Sequence, residues 1–176
     1  MQTIETTHSK FTTKYLTRAA IIAALYVVLT YLAGLMNLAY GPVQVRFSEA
    51  LTVLPFLFPE AIPGLFVGCI VSNLISPYGV LDLVVGSAAT LLAAVWTAKC
   101  GKRWFAPMPP VIANAVLVGA MIAWYEAGFG AGFLAAFVYN AATVGLGELV
   151  VCYALGLPLL KALEARGVKK GVNLSF

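Results

Sequence analysis

Charge is scarce in this chain. Only 10% of its 176 residues are Asp, Glu, Lys or Arg, against 61% hydrophobic residues. That balance excludes an ordinary soluble domain, and the length leaves no room for a large one beside the apolar segments. Histidine is nearly missing: His8 stands alone in a polar N-terminal stretch, which argues against a histidine-based metal or catalytic centre. The three cysteines, Cys69, Cys100 and Cys152, fall in separate segments without paired spacing. They form neither a disulfide framework nor a metal cluster and read as packing residues. There is no G-x-x-x-x-G-K-[ST] loop to hold a nucleotide phosphate, so the chain by itself cannot drive transport with ATP. Neither G-x-S-x-G nor H-E-x-x-H occurs, so the usual hydrolase sites are missing too. No cofactor and no metal is expected, and a binding or transport role is favoured over catalysis. The net charge of +4 does not indicate nucleic acid, because the basic residues lie in short clusters between apolar segments with no binding motif.

What is present is a series of long apolar runs. They lack the apolar/polar alternation of barrel strands, so the expected fold is an all-α integral membrane protein in one helical bundle. Six segments are expected: 18–39, 48–58, 61–76, 80–99, 111–126 and 139–160. Segment one follows Arg18 with a run long enough to span and no small-residue cleavage site, so it is read as a helix rather than a removable signal. Residues 40–47 and Pro77-Tyr78-Gly79 are turns, and Gly128, Gly130 and Gly132 mark a flexible connection, with room for some helix, before segment six. Segments two and three are short, ended or kinked by Pro55, Pro59 and Pro63. The expected division is a cytoplasmic tail over 1–14, a six-helix membrane domain over 15–164 and a second cytoplasmic tail over 165–176.

Charge placement supports six spans. With both termini cytoplasmic, ten of the eleven basic residues collect on one side: Lys10, Lys14, Arg18, Lys99, Lys102, Arg103, Lys161, Arg166, Lys169 and Lys170. Merging 48–76 into a single span would place the Lys99–Arg103 cluster outside. Arg46 is the exception, on the outer side with Glu49, Asp82 and Glu126.

Candidate site residues follow from these positions. Arg46 and Glu49 stand three apart and share a helix face, either as an interfacial ion pair or as donors and acceptors for a polar ligand. Glu148 lies about nine residues into segment six, roughly 14 Å from its outer end, near mid-membrane, where a carboxylate is costly and faces a cavity, a partner or a pathway. Asn140, Thr143, Gly147 and Glu148 fall on one broad side of that segment. Asn73 and Asp82 flank the 77–79 turn and can join the same cavity, whereas Asn114, nearer the cytoplasmic end, reads as a structural interhelical bond. Tyr40, Phe47, Tyr78, Trp124, Tyr125, Phe129, Phe133 and Tyr139 crowd the outer side, either as an interfacial belt or as stacking partners for a flat ring. Ala19/Ala23 and Ala20/Ala24 on segment one, and Gly64/Gly68 on segment three, are small pairs that allow close helix approach, within the bundle or to another membrane subunit.

The runs VRFSEALTVLPFLFPEAIPGLFVGCIVSN (45–73), LDLVVGSAATLLAA (81–94) and GELVVCYALGLPLLKALE (147–164) resemble the queuosine-precursor transporter family, with the likeness extending over about 16–164. Members are substrate-binding S components of energy-coupling factor transporters. The resemblance implies a six-helix fold that binds its solute from outside the bacterial plasma membrane and docks on a transmembrane coupling subunit driven by two ATPase subunits. An A-x-x-x-A pattern on the first helix would meet the coupling subunit, and Ala19 and Ala23, or Ala20 and Ala24, fit it. The implied solute is a 7-deazaguanine, whose guanine-type edge a carboxylate can take bidentately, with a second acid for an aminomethyl cation. On that reading Glu148 and Glu49 take the base edge or amine, and Arg46 closes the entrance or orients Glu49. Asn73, Asp82 and Asn140 add hydrogen bonds, while Tyr78, Trp124 or Tyr139 stack. An S component for another vitamin and a stand-alone proton-coupled carrier are the alternatives.

Overall fold

A computed structural model describes residues 12–39, 44–168 and 170. The expected readings of His8, Tyr40, most of both tails and the first part of the 40–47 turn lie outside the described residues. Among the described residues there is no strand, and six helices follow one another: α1 (Thr13–Leu35), α2 (Phe47–Phe56), α3 (Ala61–Asn73), α4 (Asp82–Lys99), α5 (Arg103–Ala127) and α6 (Phe133–Ala165). Four of them, α1, α4, α5 and α6, are long and apolar enough to cross a membrane.

The helix boundaries follow local chemistry. Thr12 caps α1 by accepting the Tyr15 N–H at 3.3 Å, so the helix starts five residues before Arg18 and takes in polar residues expected in the tail. Pro63 is the third residue of α3, in the first turn, where a missing N–H costs nothing. The glycine-rich connection is confined to 128–132, because 133–138 already belong to α6, and Gly128 takes the left-handed φ of 59° that ends α5.

The second segment differs most from expectation. α2 is a 3-10 helix with Pro55 inside it, and every residue from Ser48 to Phe56 is buried. It touches all five other helices, so it is an enclosed element rather than a lipid-facing crossing. The tighter winding has a geometric use. At about 2.0 Å rise per residue, ten residues reach roughly 20 Å, where an α-helix would reach about 15 Å.

Small residues set the packing around α2. A Cβ on Gly64 would lie 2.6 Å from the Ala19 carbonyl oxygen, and one on Gly68 would lie 2.9 Å from that of Ala23. So α1 and α3 run parallel with backbones in direct contact, held by van der Waals packing. α5 and α6 run antiparallel with the same economy, Gly119 against Ala141 and Gly145 against Ala115. The two alanine pairs of α1 therefore part company. Ala19 and Ala23 pack inward on α3, while Ala20 and Ala24 are exposed.

Polar contacts tie the helix ends on one side. Arg18 pairs with Glu60 of the α2–α3 turn at 2.8 Å, and Arg103 pairs with Glu164 at 2.9 Å. Lys170 donates to the Cys100 carbonyl at 2.6 Å and lies over the Phe56 ring at the end of α2. Residues 44–46 enter on the other side as an extended strap that leads into α2.

Candidate functional site

Three helices are locally unwound around one point in the bundle. α4, α5 and α6 each contain a single π turn, at Asp82–Gly86, Asn114–Val118 and Cys152–Gly156. Each begins on a buried residue that carries a polar or sulfur group: Asp82, Asn114 and Cys152. A π turn inserts one extra residue, re-aims the side chains on either side of it and is common at functional sites.

The turns of α4 and α5 line a cavity of about 10 Å³, room for roughly one water, and that of α6 reaches it through the Cys152 thiol beside Glu148. α2 contributes Glu49 to its lining, α4 contributes Gly86 and Thr90, and α5 contributes Asn114 and Val118. Val144 and Glu148 come from α6, while Gln44 and Arg46 close it from the strap. The two acids thus share one small polar space deep in an apolar bundle: Glu49 is 2% exposed and Glu148 6%.

Each acid is held differently. The Tyr26 hydroxyl of α1 donates to Glu49 Oε1, while Glu49 Oε2 has no hydrogen-bond partner among the described residues. Asn114 Nδ2 donates to Glu148 Oε1 at 2.9 Å, and the Cys152 thiol lies 3.6 Å from Glu148 Oε2 and 3.5 Å from the Glu49 carbonyl. A buried carboxylate oxygen without a donor carries a desolvation cost of about 1–3 kcal/mol or more. Any donor brought to Glu49 Oε2 would remove that cost.

Behind this pair stands a second polar layer. Arg46 NH2 donates to Asn73 Oδ1 at 2.7 Å, and Asn73 Nδ2 donates in turn to the Asp82 carbonyl at 2.9 Å. The Cys69 sulfur accepts from both Asn73 and Thr90 at 3.3 Å. Gly86 makes the layer possible, since a Cβ there would collide with the Asp82 carboxylate and approach Asn73 Nδ2 to 2.9 Å. Asp82 Oδ1 and the Ser87 hydroxyl remain without hydrogen-bond partners among the described residues.

The expected site residues therefore separate into groups. Arg46, Glu49 and Glu148 line the cavity together, and Asn73 and Asp82 support it one layer back. Arg46 reaches to Asn73 of α3, and Glu49 is bonded to Tyr26, so the two are engaged with other helices. Asn140 points elsewhere: its amide donates to Glu126 at 2.8 Å and to the Ala136 carbonyl, outside the cavity lining. Tyr78 packs edge-on to Tyr125 with ring centres 5.3 Å apart. Burial and the nearby Glu126 and Asp82 carboxylates push its phenol above the usual range. Trp124 and Tyr139 are exposed, with Trp124 beside Phe129, and neither lines the cavity. The aromatic walls expected of a stacking pocket are thus not assembled around the acids in this arrangement.

Three contributors were not singled out from sequence, Tyr26, Gln44 and Thr90, while Asn114 and Cys152 were read as an interhelical bond and a packing residue rather than as part of the site. Asn114 carried a readable signal, a lone amide in an apolar run. Its depth was misjudged because the helix starts before position 111, which places Asn114 opposite Glu148 in the antiparallel α5–α6 pair.

Comparison with known proteins adds the family. A curated protein of Lactococcus lactis subsp. cremoris, named "Queuosine precursor transporter QueT", is 42% identical over 73 residues, which are 42% of this chain and 43% of that relative. The aligned part thus spans less than half of the relative's length. No solved structure matches. The QueT transporter family profile matches residues 16–165, nearly the whole helical bundle, and on that match the chain belongs to the QueT transporter family.

Proposed function

We propose that this chain is the substrate-binding S component of an energy-coupling factor transporter in a bacterial plasma membrane, and that it captures a 7-deazaguanine queuosine precursor from outside. A separate transmembrane coupling subunit and two ATPase subunits supply the energy, in keeping with a chain that carries no phosphate-binding loop of its own. Both termini face the cytoplasm, with the basic residues of the 99–103 connection and of the chain ends on that side. Ala20 and Ala24, exposed on α1, form the small-residue surface for the coupling subunit, since Ala19 and Ala23 are taken up against α3.

The observation that carries the substrate assignment is the meeting of Glu49 and Glu148 in one buried cavity, with Glu49 Oε2 lacking a donor. A guanine-type edge offers two adjacent N–H groups to one carboxylate, and an aminomethyl substituent offers a cation to the other. The present cavity is far below the roughly 300–1,000 Å³ of typical ligand pockets. A bicyclic base therefore needs more room than this arrangement gives, and displacement of the Gln44–Arg46 strap would supply it.

Calorimetric titration of the purified protein with 7-aminomethyl-7-deazaguanine, guanine and unrelated vitamins tests this. Glu49→Gln and Glu148→Gln each remove an acceptor oxygen, at a cost of about 1–3 kcal/mol, so each weakens binding of the deazaguanine by roughly 5- to 150-fold. Unchanged affinity in both variants, or tighter binding of an unrelated vitamin, overturns the assignment.

A further inference from the structure

α1 does not line the cavity, yet it holds one of its two acids. Tyr26 has no exposed surface and donates its hydroxyl to Glu49 Oε1. One helical turn on, Thr30 donates to the Ser48 hydroxyl at 2.8 Å, so neighbouring residues of α2 are both fastened to α1. The ring cannot drift away from this position. A Cβ on Gly68 would lie 2.9 Å from Tyr26 Cβ, so α3 presses directly on the base of the side chain. Tyr26 is thus clamped at its root by α3 and at its tip by Glu49.

The consequence falls on the carboxylate. A glutamate has three side-chain torsions, and a short 3-10 helix does not by itself fix them. With Oε1 anchored to Tyr26, rotation of the carboxyl group is restrained, and Oε2 is left as the oxygen without a hydrogen-bond donor among the described residues. We propose that Tyr26 is a positioning residue that fixes Glu49 so that its free oxygen is presented to the solute, with the affinity of the site set from α1 without contact between α1 and solute. This rests on the reading of Glu49 as a solute-binding acid.

Tyr26→Phe isolates the effect, because it keeps the ring and its packing and deletes only the donor. Binding of 7-aminomethyl-7-deazaguanine is expected to weaken about tenfold, the factor that corresponds to a hydrogen bond worth about 1.4 kcal/mol. In a double-variant cycle, Tyr26→Phe added to Glu49→Gln costs little beyond Glu49→Gln alone, since the donor then has no carboxylate to position. A solute-induced infrared difference spectrum supplies the readout that loss of packing would not move. The carboxylate band that vanishes in Glu49→Gln shifts in frequency in Tyr26→Phe and stays in place in Thr30→Val. If Glu49→Gln weakens binding while Tyr26→Phe leaves affinity and band unchanged, or if the two effects add in full, the positioning role is wrong and the site stands. If Glu49→Gln itself changes nothing, the site assignment and the positioning role fall together.

Discussion

Gly147 gives the sharpest test of how the site is closed. Its α-carbon faces the strap backbone, and a Cβ there would strike the Gln44 carbonyl oxygen and come within 2.9 Å of the carbonyl carbon. The obstacle is backbone, so rotamer changes cannot relieve it. Two opposing terms decide the effect of Gly147→Ala. Replacing a mid-helix glycine by alanine gains about 0.5–1 kcal/mol of helix stability. Forcing a methyl group into a filled site costs typically 1–3 kcal/mol. The clash wins, and the simplest relief is displacement of the strap. Gln44 then leaves the cavity lining and Arg46, two residues on, loses its 2.7 Å bond to Asn73. Calorimetric titration with 7-aminomethyl-7-deazaguanine should show a loss of about 10- to 100-fold, corresponding to about 1.4–2.8 kcal/mol. Gly145→Ala is the comparison, because a Cβ there meets only the Ala115 Cβ at 3.2 Å. It should retain affinity and melt at or slightly above the wild-type temperature. If Gly147→Ala matches wild type in affinity and melting, or if Gly145→Ala loses as much, the strap is not what seals the cavity.

Asn114→Ala deprives Glu148 Oε1 of its 2.9 Å amide donor and should cost about 1–3 kcal/mol, read as a roughly 5- to 150-fold larger dissociation constant in the same titration; an unaltered constant would return Asn114 to a purely structural role. Cys100 provides a check on orientation. Cys69 and Cys152 are buried, while Cys100 is part-exposed at the α4–α5 connection, so a membrane-impermeant maleimide should label it in inside-out vesicles and not in intact cells. Its thiol is pushed above the usual range by burial. Because the thiolate is the reactive form, labelling should be slow at neutral pH and accelerate as pH rises. Equal labelling from both sides, or labelling only from outside, would reverse the assigned topology.

Much of this architecture was legible in the order of residues, and the reasons differ by element. α1, α4, α5 and α6 announce themselves because long apolar runs with few charges have no alternative in lipid to helical hydrogen bonding. Glu148 was readable because a carboxylate deep in such a run is too costly to be incidental. Glu49 drew attention through its neighbour Arg46, although Arg46 precedes the helix as the end of the strap and Glu49 lies within it. The winding of α2 was not legible, since Pro55 and burial on every side select a 3-10 helix through tertiary contacts rather than local propensity. Nor were the three π turns, which have no composition of their own. Tyr26 looks from sequence like one more apolar-face aromatic. Only the close approach of α1 to α3 at Gly64 and Gly68 brings its hydroxyl to Glu49. Asn140, Trp124 and Tyr139 do not line this cavity for a related reason: Asn140 of α6 is bonded to Glu126, while Trp124 at the end of α5 and Tyr139 near the start of α6 are exposed.

The enclosed helix Phe47–Phe56 has a consequence for how the molecule is made. Ten residues, with Arg46 before them and Glu49 within them, are too short to span lipid as an independent segment. The groups that satisfy this stretch belong to other segments: Tyr26 and Thr30 precede it in the chain, while Asn73 and Cys152 follow it. Its polar groups are therefore fully satisfied only once segments translated after it have taken their places. A nascent chain stopped before α6 would hold this segment at the membrane surface.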